Sequence, residues 1–128
     1  MFRGQYIHKI SESARVSIPS RFRDILKKKY RTNTIIISSF DKCAVAYPLS
    51  EWEDLESKIS KLPQFKSDIV EFERYLIGNA NECEIDAEGR IMIPNLIRKN
   101  IKARQSVVFV GMLSRFEIWS EYEWGISN

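Results

Sequence analysis

The strongest constraint on this chain is that it repeats itself. Residues 9–23 read KISESARVSIPSRFR and residues 84–98 read EIDAEGRIMIPNLIR. A displacement of 75 residues sets Ile10 on Ile85, Arg15 on Arg90, Ile18 on Ile93, Pro19 on Pro94 and Arg23 on Arg98. Val16 then lies over Ile91 and Ala14 over Gly89. After a small change of offset, TIIIS from Thr34 resembles VVFVG from Val107, Lys42–Val45 resembles Arg115–Ile118, and Glu51-Trp52 matches Glu123-Trp124. Such a duplication implies two similar supersecondary units packed into one body.

Each copy has the same local grammar. An apolar-alternating segment ends in a polar turn, Ser11 to Ala14 or Asp86 to Gly89. A short alternating strand follows, Arg15–Ile18 or Arg90–Ile93, and then a proline whose fixed φ suits the first position of a helix. Phe22, Ile25 and Leu26 give the first helix an apolar face; Leu96, Ile97 and Ile101 do so for the second. Two further strands close each unit, so the pattern is ββαββ, twice. Between the copies, Ser50 and Glu53 read as a capping box ahead of Trp52, Leu55, Ile59 and Leu62 at helical spacing, with Pro63 as the stop. A second helix is expected over about Asp68–Ile77, with Gly78 as its C-terminal cap. The division expected is a first unit over 1–48, a helical connection over 49–80 and a second unit over 81–128, together one compact domain.

Length and composition agree with this. At 128 residues, 44% apolar and 12% aromatic, the chain can fill one interior. Its apolar runs are strand-sized, and MFRGQYIHK lacks the apolar stretch of a secretion signal. Cys43 and Cys83 form no CxxC pair, so neither a disulfide framework nor a zinc site is indicated, and a reduced cytoplasmic protein is expected. No cofactor or membrane partner is implied. Charge is segregated: nine Lys/Arg against two acids over residues 1–31, five against twelve over 41–88, six against three over 89–128. A basic head and tail around an acidic middle fits a polyanion-binding surface, complementary patches between subunits, or plain solvated charge.

The opening MFRG, HKISESARVSIPSRFRD, YPLSEWEDLE, NECEIDAEGRIMIP and RFEIW, in this spaced order, resemble the MraZ family of bacterial transcription regulators, built from two AbrB-like units. The mark of that family is Asp-x-x-Gly-Arg in each unit. Asp86, Gly89 and Arg90 keep it, whereas Ser11, Ser13 and Ala14 stand where the family usually has Asp, Lys and Gly, with Arg15 retained. A left-handed turn residue costs an L-amino acid about 1–2 kcal/mol, so Ala14 implies strain or a rearranged turn. Ser11 can still make the local side-chain-to-backbone bond of an Asp. The missing Lys removes one phosphate-binding charge from the first unit. The resemblance implies an α+β fold, a swapped-hairpin (AbrB-like) β-barrel with packed helices. It also implies a ring-like homo-oligomer and double-stranded DNA as partner, at repeated short boxes upstream of the division and cell-wall gene cluster. Nucleoid association follows from that partner.

An arginine just after a strand-end turn can bind phosphate or reach a guanine edge with two parallel bonds. Arg15 and Arg90 are therefore the leading DNA-binding candidates, with surface salt bridges to Glu12 or Glu88 as the competing reading. Arg3 and Lys9 could add phosphate contacts or be ordinary exposed cations. Arg23 and Arg98, on the short helices, read as ties between helix and barrel. Glu82, Glu84, Asp86 and Glu88 alternate on one expected strand face; a solvated edge is favoured over a cation site, and a contact with the basic first unit of a neighbouring copy is the sharper alternative. An enzyme is the first rival class. His8 and Cys83 occupy equivalent positions and could approach, but both look like packing residues, so no catalysis is expected. The second rival is a protein-binding or assembly module whose DNA binding has decayed.

Overall fold

The structure, a computed structural model, describes residues 1–127. The first half runs β1 (Gln5–Lys9), β2 (Arg15–Ser17), α1 (Ser20–Lys28), β3 (Thr34–Phe40) and β4 (Cys43–Pro48). The connection is α2 (Leu49–Ser60) and α3 (Ser67–Leu76). The second half repeats the first as β5 (Asn81–Glu84), β6 (Arg90–Met92), α4 (Asn95–Asn100), β7 (Ser106–Met112) and β8 (Arg115–Ser120), followed by α5 (Glu121–Ser127). The fold is mixed α+β, with every strand pair antiparallel.

The halves exchange strands. Six strands form one sheet in the order β1-β7-β8-β4-β3-β5, and β2 pairs with β6 as a separate ribbon. The first strand of each half thus lies on the third strand of the other. On the ribbon Val16 faces Ile91, and at the centre of the sheet Val45 faces Glu117, the third residue of β4 against the third of β8. Both pairs join equivalent residues, as a twofold relation between halves requires. The sheet is open: β1 and β5 are its edges, because the chain leaves each of them through a polar turn and enters the ribbon instead.

Burial explains the continuous apolar runs. Ile35, Ile37, Ala44, Ala46, Val107, Phe109, Phe116 and Ile118 face one core together with Val16, Ile91, Phe22, Leu26, Ile97 and Ile101 from the ribbon, α1 and α4. Ile36, Val45, Val108 and Val110 face a second core, under Trp52 and Ile59 of α2, Leu76 of α3 and Trp124 of α5. A strand buried on both faces needs no polar alternation. Phe2 is fully buried and meets Phe22 and Phe116 at ring-centroid distances of 5.3 and 5.2 Å. It thereby staples the N-terminus to both halves.

Several expectations shift. Thr34 opens β3 as Ser106 opens β7, and Cys43 opens β4 as Arg115 opens β8, so the strand matches expected from sequence are one residue out. A slip of one residue moves a side chain to the opposite face, and the burial pattern decides it: Ile35 belongs with core-facing Val107, not with Val108. Pro19 and Pro94 are N-caps rather than first helical residues. Pro48 also caps α2, which begins before Ser50; no side-chain cap bond forms, so the capping box is not made. Gly78 lies two residues beyond Leu76 and does not have a positive φ. Leu62 (40% exposed) and Leu96 (60%) lie outside the cores.

Candidate nucleic-acid interface

The two polar turns are built alike from unlike residues. In the second, Asp86 N–H donates to Arg90 O (2.9 Å) and Gly89 N–H to Asp86 O (3.0 Å). Asp86 Oδ1 accepts the backbone N–H groups of Glu88 and Arg90, each at 2.9 Å. The first turn repeats the frame, with Ser11 N–H to Arg15 O (2.8 Å) and Ala14 N–H to Ser11 O (3.0 Å). Ser11 Oγ accepts the Arg15 N–H at 3.1 Å and lies 3.0 Å from Ser13 Oγ. Serine therefore makes one of aspartate's two backbone bonds, as the residue types imply. Ala14 keeps the left-handed conformation of the turn (φ 62°, against 80° for Gly89) and tolerates the strain rather than rearranging.

These turns deliver Arg15 and Arg90 onto the β2–β6 ribbon. Val16 and Ile91 point into the core, so their neighbours point outward. Arg15 lies opposite Met92 and Arg90 opposite Ser17, which makes the two arginines diagonal neighbours on one outer face, roughly 7–8 Å apart at the backbone. Their environments differ. Arg90 Nε is 3.4 Å from Asp86 Oδ2 and its Nη2 is 3.4 Å from Glu88 Oε2. The Arg90 backbone N–H, joined by that of Glu88 and by the Arg90 charge, holds Asp86 below the usual carboxylate range against the opposing effect of desolvation. Arg15 makes no ion pair among the described residues, so the salt bridge to Glu12 does not form and the one to Glu88 does.

The other candidates are dispersed. Lys9, at the end of β1, is exposed and borders the first turn. Arg3 is exposed at the opposite end of β1, about 20 Å from Lys9 along an extended strand, so it does not join the arginine pair. Its backbone crosses β7 so closely that a Cβ on Gly111 would collide with Arg3 N. Arg23 does tie helix to turn: its Nε donates to Ile18 O (3.1 Å), and a Cβ on Gly89 would collide with its Nη1. Arg98 does not; its Nη2 donates to Asn95 Oδ1 of its own helix (2.9 Å). Asp86 and Glu88 lie in the turn, so only Glu82 and Glu84 share the exposed face of β5. His8 and Cys83 sit on opposite edge strands. His8 donates to Ser17 O from Nδ1 (2.5 Å), while burial pushes the Cys83 thiol up to about 11, unsuited to a nucleophile at neutral pH.

Two like halves exchanging strands, with one outward arginine from each on a shared ribbon, define a duplicated β-scaffold with a surface site. The chain belongs to the MraZ family: the model of the family described as "MraZ protein, putative antitoxin-like" matches residues 1–74 and 76–126. Among its relatives, the transcriptional regulator MraZ of Syntrophobacter fumaroxidans is 40% identical over 123 residues, 96% of this chain and 81% of the relative. That of Alkaliphilus metalliredigens is 40% identical over 128 residues, all of this chain and 87% of the relative. That of Caldanaerobacter subterraneus is 40% identical over 124 residues, 97% and 84%. These relatives are named as regulators, not enzymes. No helix among the described residues is long and apolar enough to cross a membrane.

Proposed function

We propose that this chain is a transcription regulator that binds double-stranded DNA in a sequence-specific manner through Arg15 and Arg90. The observation that carries the reading is their diagonal placement on one outward ribbon, where both can reach the same duplex. The relatives' name supports it. In this reading the exchanged strands of the units 1–48 and 81–128, joined through 49–80, form a swapped-hairpin barrel closed by the β2–β6 ribbon. The targets are repeated short boxes upstream of the division and cell-wall gene cluster, bound on the nucleoid by a ring-like homo-oligomer. Linked subunits on consecutive boxes raise effective concentration, with avidity gains of about 10²–10⁴-fold. Opposite charge on the two sheet edges, Lys9 on β1 and Glu82 with Glu84 on β5, supports a head-to-tail contact between copies.

The test is DNA affinity across a salt series, with the region upstream of the protein's own gene beside a scrambled control. An Arg15→Ala/Arg90→Ala variant of unchanged oligomeric size accompanies the wild type. Preferential, salt-sensitive binding lost in the variant is the expected result. Equal binding to both DNAs would leave only a generic basic surface. No binding at low salt would favour an assembly module over a regulator.

A further inference from the structure

The differences between the two turns reach beyond the turns themselves. Each turn faces a cleft against the short helix of the opposite half. Beside the second turn, a cleft of about 1000 Å³ holds Arg23, Lys27 and Arg31, but also Asp24 and Asp86. Arg23 is spent there on Ile18 O and on lying over Gly89, and Arg90 is flanked by Asp86 and Glu88. Beside the first turn, the equivalent cleft of about 580 Å³ holds Lys9, Arg98 and Arg104, with Glu12 the one acid among the described residues that line it. Two substitutions set this contrast. Ala14 carries a Cβ in the space that Gly89 leaves for Arg23. Asn95, which stands where the other half has Ser20, supplies the oxygen that keeps Arg98 on its own helix, on the border of the cleft. Ser11 in place of an aspartate also leaves Arg15 without a carboxylate.

We propose that the first half, despite its altered motif, makes the stronger backbone contact, with Arg98 and Arg104 forming a phosphate-binding cleft beside Arg15. The ligand class is the phosphodiester of duplex DNA, and the inference rests on the DNA-binding reading above. Arg98 is then a contact residue, while its counterpart Arg23 remains a brace. A Lys is missing at position 13, yet the carboxylate lost at position 11 offsets that charge, and Arg98, not drawn over the turn as Arg23 is, stays at the border of the cleft.

Three variants test this by the slope of log affinity against log salt on the upstream DNA. Arg98→Ala should reduce the slope by about 0.9 for each phosphate that the arginine neutralises. Arg23→Ala should lower the melting temperature and leave the slope unchanged. Ala14→Gly with Asn95→Ser recreates at the first turn the residues around Arg23. It removes no charge, yet it should reduce the slope as Arg98→Ala does, without loss of melting temperature. Binding by the wild type with equal slopes for Arg98→Ala and Arg23→Ala would overturn the cleft and leave the regulator reading intact. A full slope in the double variant would overturn the role of Ala14. A wild type that binds no DNA would remove both readings together.

Discussion

Asp86 and Ser11 close the same turn, and the pH dependence of stability separates them. Asp86 has its carboxyl held below the ordinary range in the folded chain, so it contributes stability above about pH 4, its unfolded value, and loses it as the pH falls through the folded value. Asp86→Asn keeps the acceptor oxygen but cannot titrate. Its melting temperature should therefore fall less steeply than the wild type's below about pH 4 in a pH series of thermal melts. Gly89 is the other sensitive position. Gly89→Ala places a Cβ at φ 80°, costing about 1–2 kcal/mol, and displaces Arg23 from Ile18 O, costing about 0.5–1.5 more. Reduced freedom of the unfolded chain returns about 0.4–1. A net loss of about 0.5–3 kcal/mol should show as a lower urea midpoint with unchanged slope. The bond from Ser11 to its own turn was legible in the sequence because it is local. The divergence of Arg23 and Arg98 was not, since it depends on which side chain of the other half lies across each turn.

At the scale of elements, strands and short helices followed from apolar periodicity and the repeat, while their ends and register did not. The sequence pattern at the start of α2 admits a capping box, but Pro48 already occupies the cap and Ser50 falls inside the helix. Ser50→Ala should therefore change stability by less than about 0.5 kcal/mol, where loss of a true cap would cost about 1. Equal urea midpoints check this. Glu51, outside that motif, is held by Tyr30, whose hydroxyl donates to Glu51 Oε2 at 2.7 Å and ties the segment after α1 to α2. That long-range bond has no sequence signature. Helix α5, by contrast, was within reach: Trp124 corresponds to Trp52 of α2, and Glu121 opens α5 as Leu49 opens α2. The match of Glu51-Trp52 with Glu123-Trp124 was the signal for this helix, which the expected ββαββ pattern left out.

For the whole molecule, duplication supplies two halves whose strands complete each other, and the sheet that results ends in two unlike edges. β1 exposes Gln5, Ile7 and Lys9; β5 exposes Glu82 and Glu84. The exposed side chains of the two edge strands carry opposite charge, which disfavours contact between identical edges and leaves the oppositely charged edge of another copy as a partner. Such a contact joins different surfaces on the two copies, so it closes into a ring when the rotation between neighbours divides a full turn. Glu82→Lys/Glu84→Lys reverses β5 without touching Cys83, the residue between them that faces the core. The ribbon and both turns are unaltered by this change. If the edges meet, the variant should elute as a smaller species than the wild type in size-exclusion chromatography and regain the larger size when mixed with a Lys9→Glu copy whose β1 edge is reversed. An assembly of unchanged size at low and high salt would rule out the edge contact. It would place the subunit interface on another surface and leave the acidic strand as a guard against misplaced pairing.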